Sequence, residues 1–177
     1  MVKSFYMILT THAVAGAAVA SLFPSHPIVG FTAAFASHFL LDALPHKDYG
    51  LSSYIADSTD ALGHDMKINR LFFFDLAKIG ADFSLSFILP IGIFFLTQTS
   101  PLDVVVAGIL GGIVPDALQF VYMKTKPVWL SPLQRFHRWV HIKKELSVSV
   151  PLALGLQASL SFCVAMLAFI ILNHIPR

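Results

Sequence analysis

The stretch SHFLLDALPHKD, Ser37 to Asp48, ends an apolar segment with two histidines and two aspartates. Hydrocarbon is a poor solvent for these side chains, and ionisable groups at a membrane span usually mark a functional site or a water-filled cavity. His38 and Asp42 are four residues apart, so a helix places both on one face. His46 follows just after a helix-ending proline. The stretch therefore predicts a helix whose end delivers metal-ligand and acid–base groups to one point.

The composition of the whole chain favours an integral membrane protein. Of its 177 residues, 56% are hydrophobic and 12% are charged, and the mean hydropathy is +0.73. A soluble domain has about 25% charged residues, which is enough to cover its surface. The length predicts a single domain over residues 1–177. A net charge of +2 is too small for a nucleic-acid binder, and one cysteine, Cys163, excludes an intramolecular disulfide and a multi-cysteine zinc site.

Five apolar segments approach the length of about 20 residues that a spanning helix needs. They cover residues 4–23, 27–44, 71–96, 102–122 and 148–172. The first segment also has features of a signal peptide, but His12 and the spans that follow favour a retained helix. A basic, aromatic stretch opens with Ser131 as a predicted N-cap and Pro132 at the first helical position, which indicates a short interfacial helix. The expected fold is an all-α membrane bundle of five spans plus this helix.

The distribution of positive charge predicts the orientation, because cytoplasmic loops carry an excess of lysine and arginine. If the five spans alternate, the opposite side receives only Arg177, and Lys78 lies within a span. The cytoplasmic side then holds Lys3, Lys47, Lys67, Arg70, Lys124, Lys126, Arg135, Arg138, Lys143 and Lys144. We therefore expect the N-terminus and both polar loops in the cytoplasm and the C-terminus outside.

Other ionisable residues fall in the cytoplasmic half of the predicted spans or just below it. They are His12, Asp75, Asp82, Asp116, His137 and His141. Imidazole and carboxylate are ligands that zinc, iron and manganese accept. Together with the opening stretch, these side chains predict a site for one or two divalent metal ions at the cytoplasmic face.

Each candidate also has a structural interpretation when it is taken alone. His12 can be a core histidine that bonds a carbonyl on a neighbouring helix, and Asp42 can cap a helix end. Asp75 can pair with Lys78 three residues later. Asp116 can satisfy exposed amides after a proline, and the two interfacial histidines can lie beside lipid headgroups. The metal hypothesis depends on the joint placement of these residues.

Four motifs, THAVAGAAVA, SHFLLDALPHKD, GGIVPDALQF and FHRWVHIKKE, resemble the bacterial membrane-bound metal-dependent hydrolases over most of the chain. That family carries an early histidine, Pro-Asp signatures at helix ends and a His-Arg-x-x-His element. The matching positions are His12, His38, Asp42, His46, Asp48, Pro115, Asp116, His137, Arg138 and His141. The resemblance implies a hydrolase of the bacterial inner membrane, with a distant analogy to zinc-dependent phospholipases C.

These considerations together define an expected site and mechanism. The expected metal ligands are His12, His38, Asp42, His46, Asp75, Asp116, His137 and His141. Zinc is the expected ion, with iron or manganese as alternatives, and it would lower the pKa of water to about 7. Asp82 or Asp48 would act as general base, and Arg138 would hold a phosphate or carboxylate oxygen. The expected substrate is a membrane phospholipid or another amphiphilic phosphoester.

Two other functions fit parts of the sequence. An ion-coupled carrier can use Asp82 and Lys78 in the third span, with Pro90 beyond them, as a relay. The outer halves of the spans are almost entirely apolar, which argues against a polar path across the membrane. A non-catalytic bundle that binds a partner needs no metal, and its polar residues would only join helices through pairwise contacts.

Overall fold

The structure is a computed structural model that describes residues 8–46, 50–55, 57, 60, 62–98, 100–141 and 148–174. Within these residues the chain is α-helical apart from one short hairpin and a 3₁₀ turn, which confirms the all-α class. The helices are α1 (Leu9–Ser21), α2 (Pro27–Asp42), α3 (Arg70–Thr97), α4 (Leu102–Thr125), α5 (Ser131–Val140) and α6 (Val150–His174). The hairpin pairs β1 (Tyr54–Ile55) with β2 (Asp65–Met66), and the 3₁₀ turn covers Val128–Leu130.

Three of the described helices are long and apolar enough to cross a membrane. They are α3, α4 and α6 from Pro151 onwards. The expected count of five spans is not confirmed, because α1 has 13 residues and α2 has 16, short of the about 20 that a span needs. A helix does occupy the predicted interfacial position. Ser131 is its first residue and not its N-cap, because the 3₁₀ turn runs directly into it.

Helix α1 forms the centre of the bundle. It packs against α2, α3, α4 and α6, and ten of its thirteen residues are buried. Its sequence, LTTHAVAGAAVAS, consists mainly of alanine and other small residues. Small side chains allow neighbouring backbones to approach closely, which is how helices pack where lipid removes the hydrophobic driving force. The composition of α1 therefore explains why one short helix can be enclosed on several sides.

Glycines bring the backbones of α1 and α4 into direct contact. A Cβ atom on Gly16 of α1 would lie 2.4 Å from the carbonyl oxygen of Gly108, and one on Gly112 would lie 2.3 Å from that of His12. No side chain fits at these separations. Gly108 and Gly112 are four residues apart and so present one face to α1. This contact sets the depth of His12 in the bundle.

Asp82 joins α3 to the start of α1. Its carboxylate accepts hydrogen bonds from the amides of Leu9 and Thr10, at 2.8 and 3.0 Å, and from the Thr10 hydroxyl at 2.6 Å. The first amides of a helix have no partner within it, and a negative charge there is favourable. Asp82 therefore caps α1 from a neighbouring helix, which is a structural role, whereas its predicted role as general base stays a prediction.

Asp75 fastens the hairpin segment to α3. Its buried carboxylate accepts hydrogen bonds from the Ser53 amide at 2.7 Å and the Ser53 hydroxyl at 2.8 Å, and Lys78 donates a third at 3.1 Å. These bonds occupy its oxygens with partners from the loop and from its own helix. The ion pair with Lys78 that the spacing suggested is therefore confirmed.

Two lysines at the end of α4 hold the other side of the hairpin. Lys124 lies 2.8 Å from Asp65 and also contacts the carbonyl of Met66. Its hydrogen bond to Asp65 holds the pKa of that carboxyl below its usual range. Lys126 donates to the carbonyls of Leu62 and His64, both at 2.7 Å. The hairpin is thus clamped across the ends of α3 and α4.

Replacing Gly112 by alanine tests the backbone contact between α1 and α4. The added methyl group has no space beside the His12 carbonyl, so we expect the free energy of unfolding to fall by about 1–3 kcal/mol. The matched control is Gly80→Ala, because a Cβ atom there meets nothing within 4 Å. It should leave stability unchanged or raise it by up to about 1 kcal/mol. Equal melting temperatures of both variants in one detergent would contradict this packing.

Candidate metal centre

Histidines and aspartates from four helices meet at one buried point. The members are His12 from α1, His38 and Asp42 from α2, Asp116 from α4 and His137 from α5. Asp116 is 9% exposed, and the other four are exposed by 2% or less. Burying so many polar groups is costly unless they are paired, protonated or bound to a metal ion. The four helices therefore converge on a site whose groups need a common partner.

Asp42 is the centre of this cluster. Its Oδ1 lies 3.2 Å from His12 Nε2, while its Oδ2 lies 3.2 Å from His38 Nε2 and 2.7 Å from His137 Nε2. The carboxylate stands at the last residue of α2, where the chain turns towards its proline. One oxygen therefore faces His12 and the other faces both His38 and His137, so the carboxylate lies among all three histidine rings.

The distances among the donor atoms suit a small metal ion. His38 Nε2 lies 3.2 Å from His137 Nε2, and Asp116 Oδ1 lies 3.7 and 3.8 Å from these two nitrogens. Ligands at about 2.0–2.2 Å from a tetrahedral zinc ion are about 3.3–3.6 Å from one another. Modest adjustment would thus let the atoms of His38, His137, Asp42 and Asp116 surround one ion.

The hydrogen bond of His38 determines which of its nitrogens faces the cluster. His38 Nδ1 lies 2.7 Å from the Gly112 carbonyl oxygen and must donate to it, because a carbonyl only accepts. In the neutral ring, Nε2 then carries a lone pair that faces a carboxylate oxygen of Asp42. Either a second proton or a cation must separate these two acceptors. A backbone carbonyl that orients the ring in this way is typical of a metal-bound histidine.

His12 and His137 also have buried ring nitrogens without hydrogen-bond partners. His12 is fully buried, and neither of its ring nitrogens has a hydrogen-bond partner, although Nε2 lies close to Asp42. His137 Nδ1 is also buried without one. Leaving a buried polar atom unsatisfied costs about 1–3 kcal/mol. A metal ion at the Nε2 atoms would satisfy His12 Nε2, although it would not reach the two Nδ1 atoms. On the Nε2 side of the rings, the residues fit the group that the sequence predicted.

A second group of ligands adjoins the first and shares Asp42 with it. Single ligand atoms of Asp42, His46 and His141 lie within 4.8 Å of one another, and the two imidazole rings have centroids 4.8 Å apart. His46 Nδ1 donates to the Leu44 carbonyl at 2.7 Å. Nε2 is therefore the ring nitrogen of His46 that could bind a metal ion. This second group can also hold a metal ion.

The structure brings most of the predicted ligands together. Seven of the eight join the metal-competent groups, namely His12, His38, Asp42, His46, Asp116, His137 and His141. Asp75 does not, because Ser53 and Lys78 hold it at the hairpin. Arg138 is exposed and contacts His64, so it does not face the cluster in this structure. Asp48 lies outside the described residues.

One buried polar residue near the site was not among the residues predicted from the sequence. Gln134 on α5 is 3% exposed, and its Nε2 has no hydrogen-bond partner. It precedes His137 by three residues, so both lie on the same buried face of the helix. The spacing of three residues between Gln134 and His137 is present in the sequence, but an uncharged amide is not by itself a sign of a buried site.

Comparison of the chain with protein-family models, with curated proteins and with solved structures gave no match.

Asp42→Asn tests whether the central carboxylate binds metal. A ligand that binds only the folded state at about 100 times its dissociation constant adds about 2.7 kcal/mol, which for a chain of this size raises the melting temperature by about 5–10 °C. We expect zinc to produce such a shift in the parent protein but not in Asp42→Asn.

Asp75→Asn is the matched control, because it neutralises another buried carboxylate. It should lower the melting temperature, since it weakens the hold on Ser53, yet keep the shift with zinc. A zinc shift that survives Asp42→Asn, or that Asp75→Asn abolishes equally, would count against the centre.

Proposed function

We propose that this chain is a membrane-bound, metal-dependent hydrolase that cleaves a phosphoester or related ester bond of a lipid-like substrate at the cytoplasmic face. One observation carries the proposal. Three buried histidine rings from α1, α2 and α5 point Nε2 atoms at both oxygens of Asp42, and His12 Nε2 has no hydrogen-bond partner. Helix packing alone does not require this convergence.

The donor set favours zinc, with iron or manganese as alternatives. It combines imidazole nitrogens with carboxylate oxygens, which these ions accept, whereas calcium and magnesium prefer oxygen alone. When bound, such an ion lowers the pKa of a coordinated water to about 7 and polarises the bond to be cleaved. Asp42, shared between both groups, supports a centre with room for two ions.

The protein's own residues would orient these ligands and keep the site dry. Gly112 holds the His38 ring by its carbonyl, and the Leu44 carbonyl does the same for His46. Such backbone partners fix the ring orientation and the tautomer of a ligand. Asp116 is the ligand with the greatest exposure among the five central residues, so it marks the side from which a substrate would approach.

The surface around the site supports a membrane location. Helix α2 exposes large apolar side chains, including Ile28 at 81% and Leu40 at 72%. Lipid is the natural solvent for such a surface, so we infer that α1 and α2 are embedded beside the three long helices. This arrangement retains the five-helix bundle of the sequence prediction, although two of its members are short.

The position of α5 supports a cytoplasmic orientation for the site. Trp139 is 79% exposed and Trp129, just before the helix, is 74% exposed, while Arg135 and Arg138 are also exposed. Aromatic and basic side chains of this kind lie at the headgroup level, and basic residues attract the anionic lipids of the cytoplasmic leaflet. The His137 ligand would then be held at the membrane surface, with the N-terminus inside and the C-terminus outside.

The carrier hypothesis loses its main residue in this structure. Asp82 was its proposed relay group, and its carboxylate is engaged by the first amides of α1. The non-catalytic hypothesis explains Asp75 and Asp82 well, since both join elements through ordinary hydrogen bonds. It does not explain the rings of the cluster, and we therefore favour the hydrolase.

The test is hydrolysis of fluorogenic phosphodiester, phosphomonoester and carboxylic ester substrates by the purified protein. A chelator should abolish turnover, and zinc or manganese should restore it. His137→Ala should reduce the rate at least about a hundredfold, because even loss of a residue that supports a ligand costs about 10–100-fold.

His26→Ala serves as the control, since His26 is exposed in the turn between α1 and α2 and should leave the rate unchanged. Turnover that persists in His137→Ala or in the presence of chelator would exclude this function.

A further inference from the structure

A cavity of about 290 Å³ lies beside the cluster, between α3 and α4 and under the hairpin. Its walls include Leu51, Met66, Ile79, Phe83, Asp116 and Phe120. Among the described residues that line the cavity, all but Asp116 are apolar. This part of the lining therefore forms an apolar interior that includes the carboxylate of Asp116.

Asp116 connects the cavity to the candidate metal centre. Its Oδ1 lies 3.7 Å from His38 Nε2 and 3.8 Å from His137 Nε2, and the same residue forms part of the cavity wall. A molecule in the cavity would thus reach the metal ligands from the side of Asp116, the central member with the greatest exposure. A substrate bond held at the Asp116 end of the cavity would lie next to the residues that would bind the metal.

The cavity reaches the outer surface of α3 and α4, the side of these helices that would face lipid. Phe83 of α3 and Val121 of α4 line it and remain 48% and 42% exposed. Both helices are long and apolar enough to span a membrane, so these side chains would face lipid. An apolar chain can therefore enter sideways from the bilayer without crossing water.

The hairpin segment closes the cavity on the other side. Leu51 and Met66 contribute to the wall, and their segment is held down by the bond from Ser53 to Asp75 at 2.7 Å and by Lys124 at Asp65. The roof is thus fixed by charged groups, whereas the opening towards lipid is bordered by apolar ones. Apolar walls of this kind favour an apolar occupant.

We propose that this cavity binds a single hydrocarbon chain of an amphiphile whose polar head lies at Asp116. The volume is near the lower limit for ligand pockets, about 300 Å³, which suits one linear chain and excludes a sterol or a pair of chains. For the bond that is cleaved, the inference rests on the proposed hydrolase function. Binding of the chain itself does not depend on metal and can be tested separately.

The experiment uses 1-O-decylglycerol with a diazirine at the chain end, whose neutral head makes binding independent of the metal. The full chain is reconstituted in lipid nanodiscs, irradiated with and without chelator, and its labelled peptides are identified by mass spectrometry. We expect labelling to concentrate on α3 and α4 at Phe83 and Phe120. Labelling spread evenly over the lipid-facing surfaces of α3, α4 and α6 would overturn the proposal.

Filling the cavity provides the decisive variant. Ala117 lines it, so Ala117→Trp should reduce labelling at Phe83 and Phe120 at least about tenfold, or about 1.4 kcal/mol of binding free energy. The control is Ala77→Trp, an exposed alanine of α3 outside the lining, which should label like the parent. Equal labelling of the two tryptophan variants would overturn the proposal.

A second variant protects the test against misfolding of Ala117→Trp. Phe120→Ala enlarges the cavity. It should increase labelling by a probe with a dodecyl chain relative to the decyl probe. An unchanged preference between the two chain lengths would contradict the site. Hydrolysis assays on the same samples separate the two claims. Specific labelling without metal-dependent turnover leaves the chain site standing and removes the hydrolase, whereas turnover with diffuse labelling does the reverse.

Discussion

The backbone contact between α1 and α4 is the constraint on which the rest of the structure depends. Gly16, Gly108 and Gly112 leave no room for a side chain at three points of the contact, so the two backbones approach each other closely there. One result is that the Gly112 carbonyl is placed to hold His38, while the neighbouring His12 is buried against Asp42. The close packing of small residues and the geometry of the candidate site are therefore one feature.

Three buried carboxylates show how surroundings assign different roles to the same group. Asp82 accepts hydrogen bonds from the first amides of a helix, and Asp75 accepts them from a loop serine and a lysine. Among the described residues, the groups that face the Asp42 oxygens are histidine rings. Asp75 and Asp82 accept hydrogen bonds from backbone amides and hydroxyl groups, and Asp75 also from a lysine. A structural role therefore accounts for both residues. Asp42 faces ring nitrogens of which at least one, that of His38, has no proton to offer in its neutral form. A metal ion bound between them would resolve that conflict.

The sequence predicted the class of fold and most of the site because both depend on local signals. Apolar length marks α3, α4 and α6, and spacing of four residues marks the pairs His38 with Asp42 and His137 with His141. The roles of Asp75 and Asp82 depend on Ser53 and on the start of α1, which lie far away in sequence. The glycine contact and the buried amide of Gln134 carry no charge, so the pattern of ionisable residues does not reveal either of them.

The measurement that tests the metal centre most directly is the metal content of the detergent-purified protein by elemental mass spectrometry. His38 and His137 belong to α2 and α5 and are 99 residues apart, yet their Nε2 atoms lie 3.2 Å from each other. We predict near-stoichiometric zinc, iron or manganese in the parent protein and in His26→Ala, and its loss from both His38→Ala and His137→Ala. Folded parent protein that stays free of metal after reloading with each ion would contradict the centre.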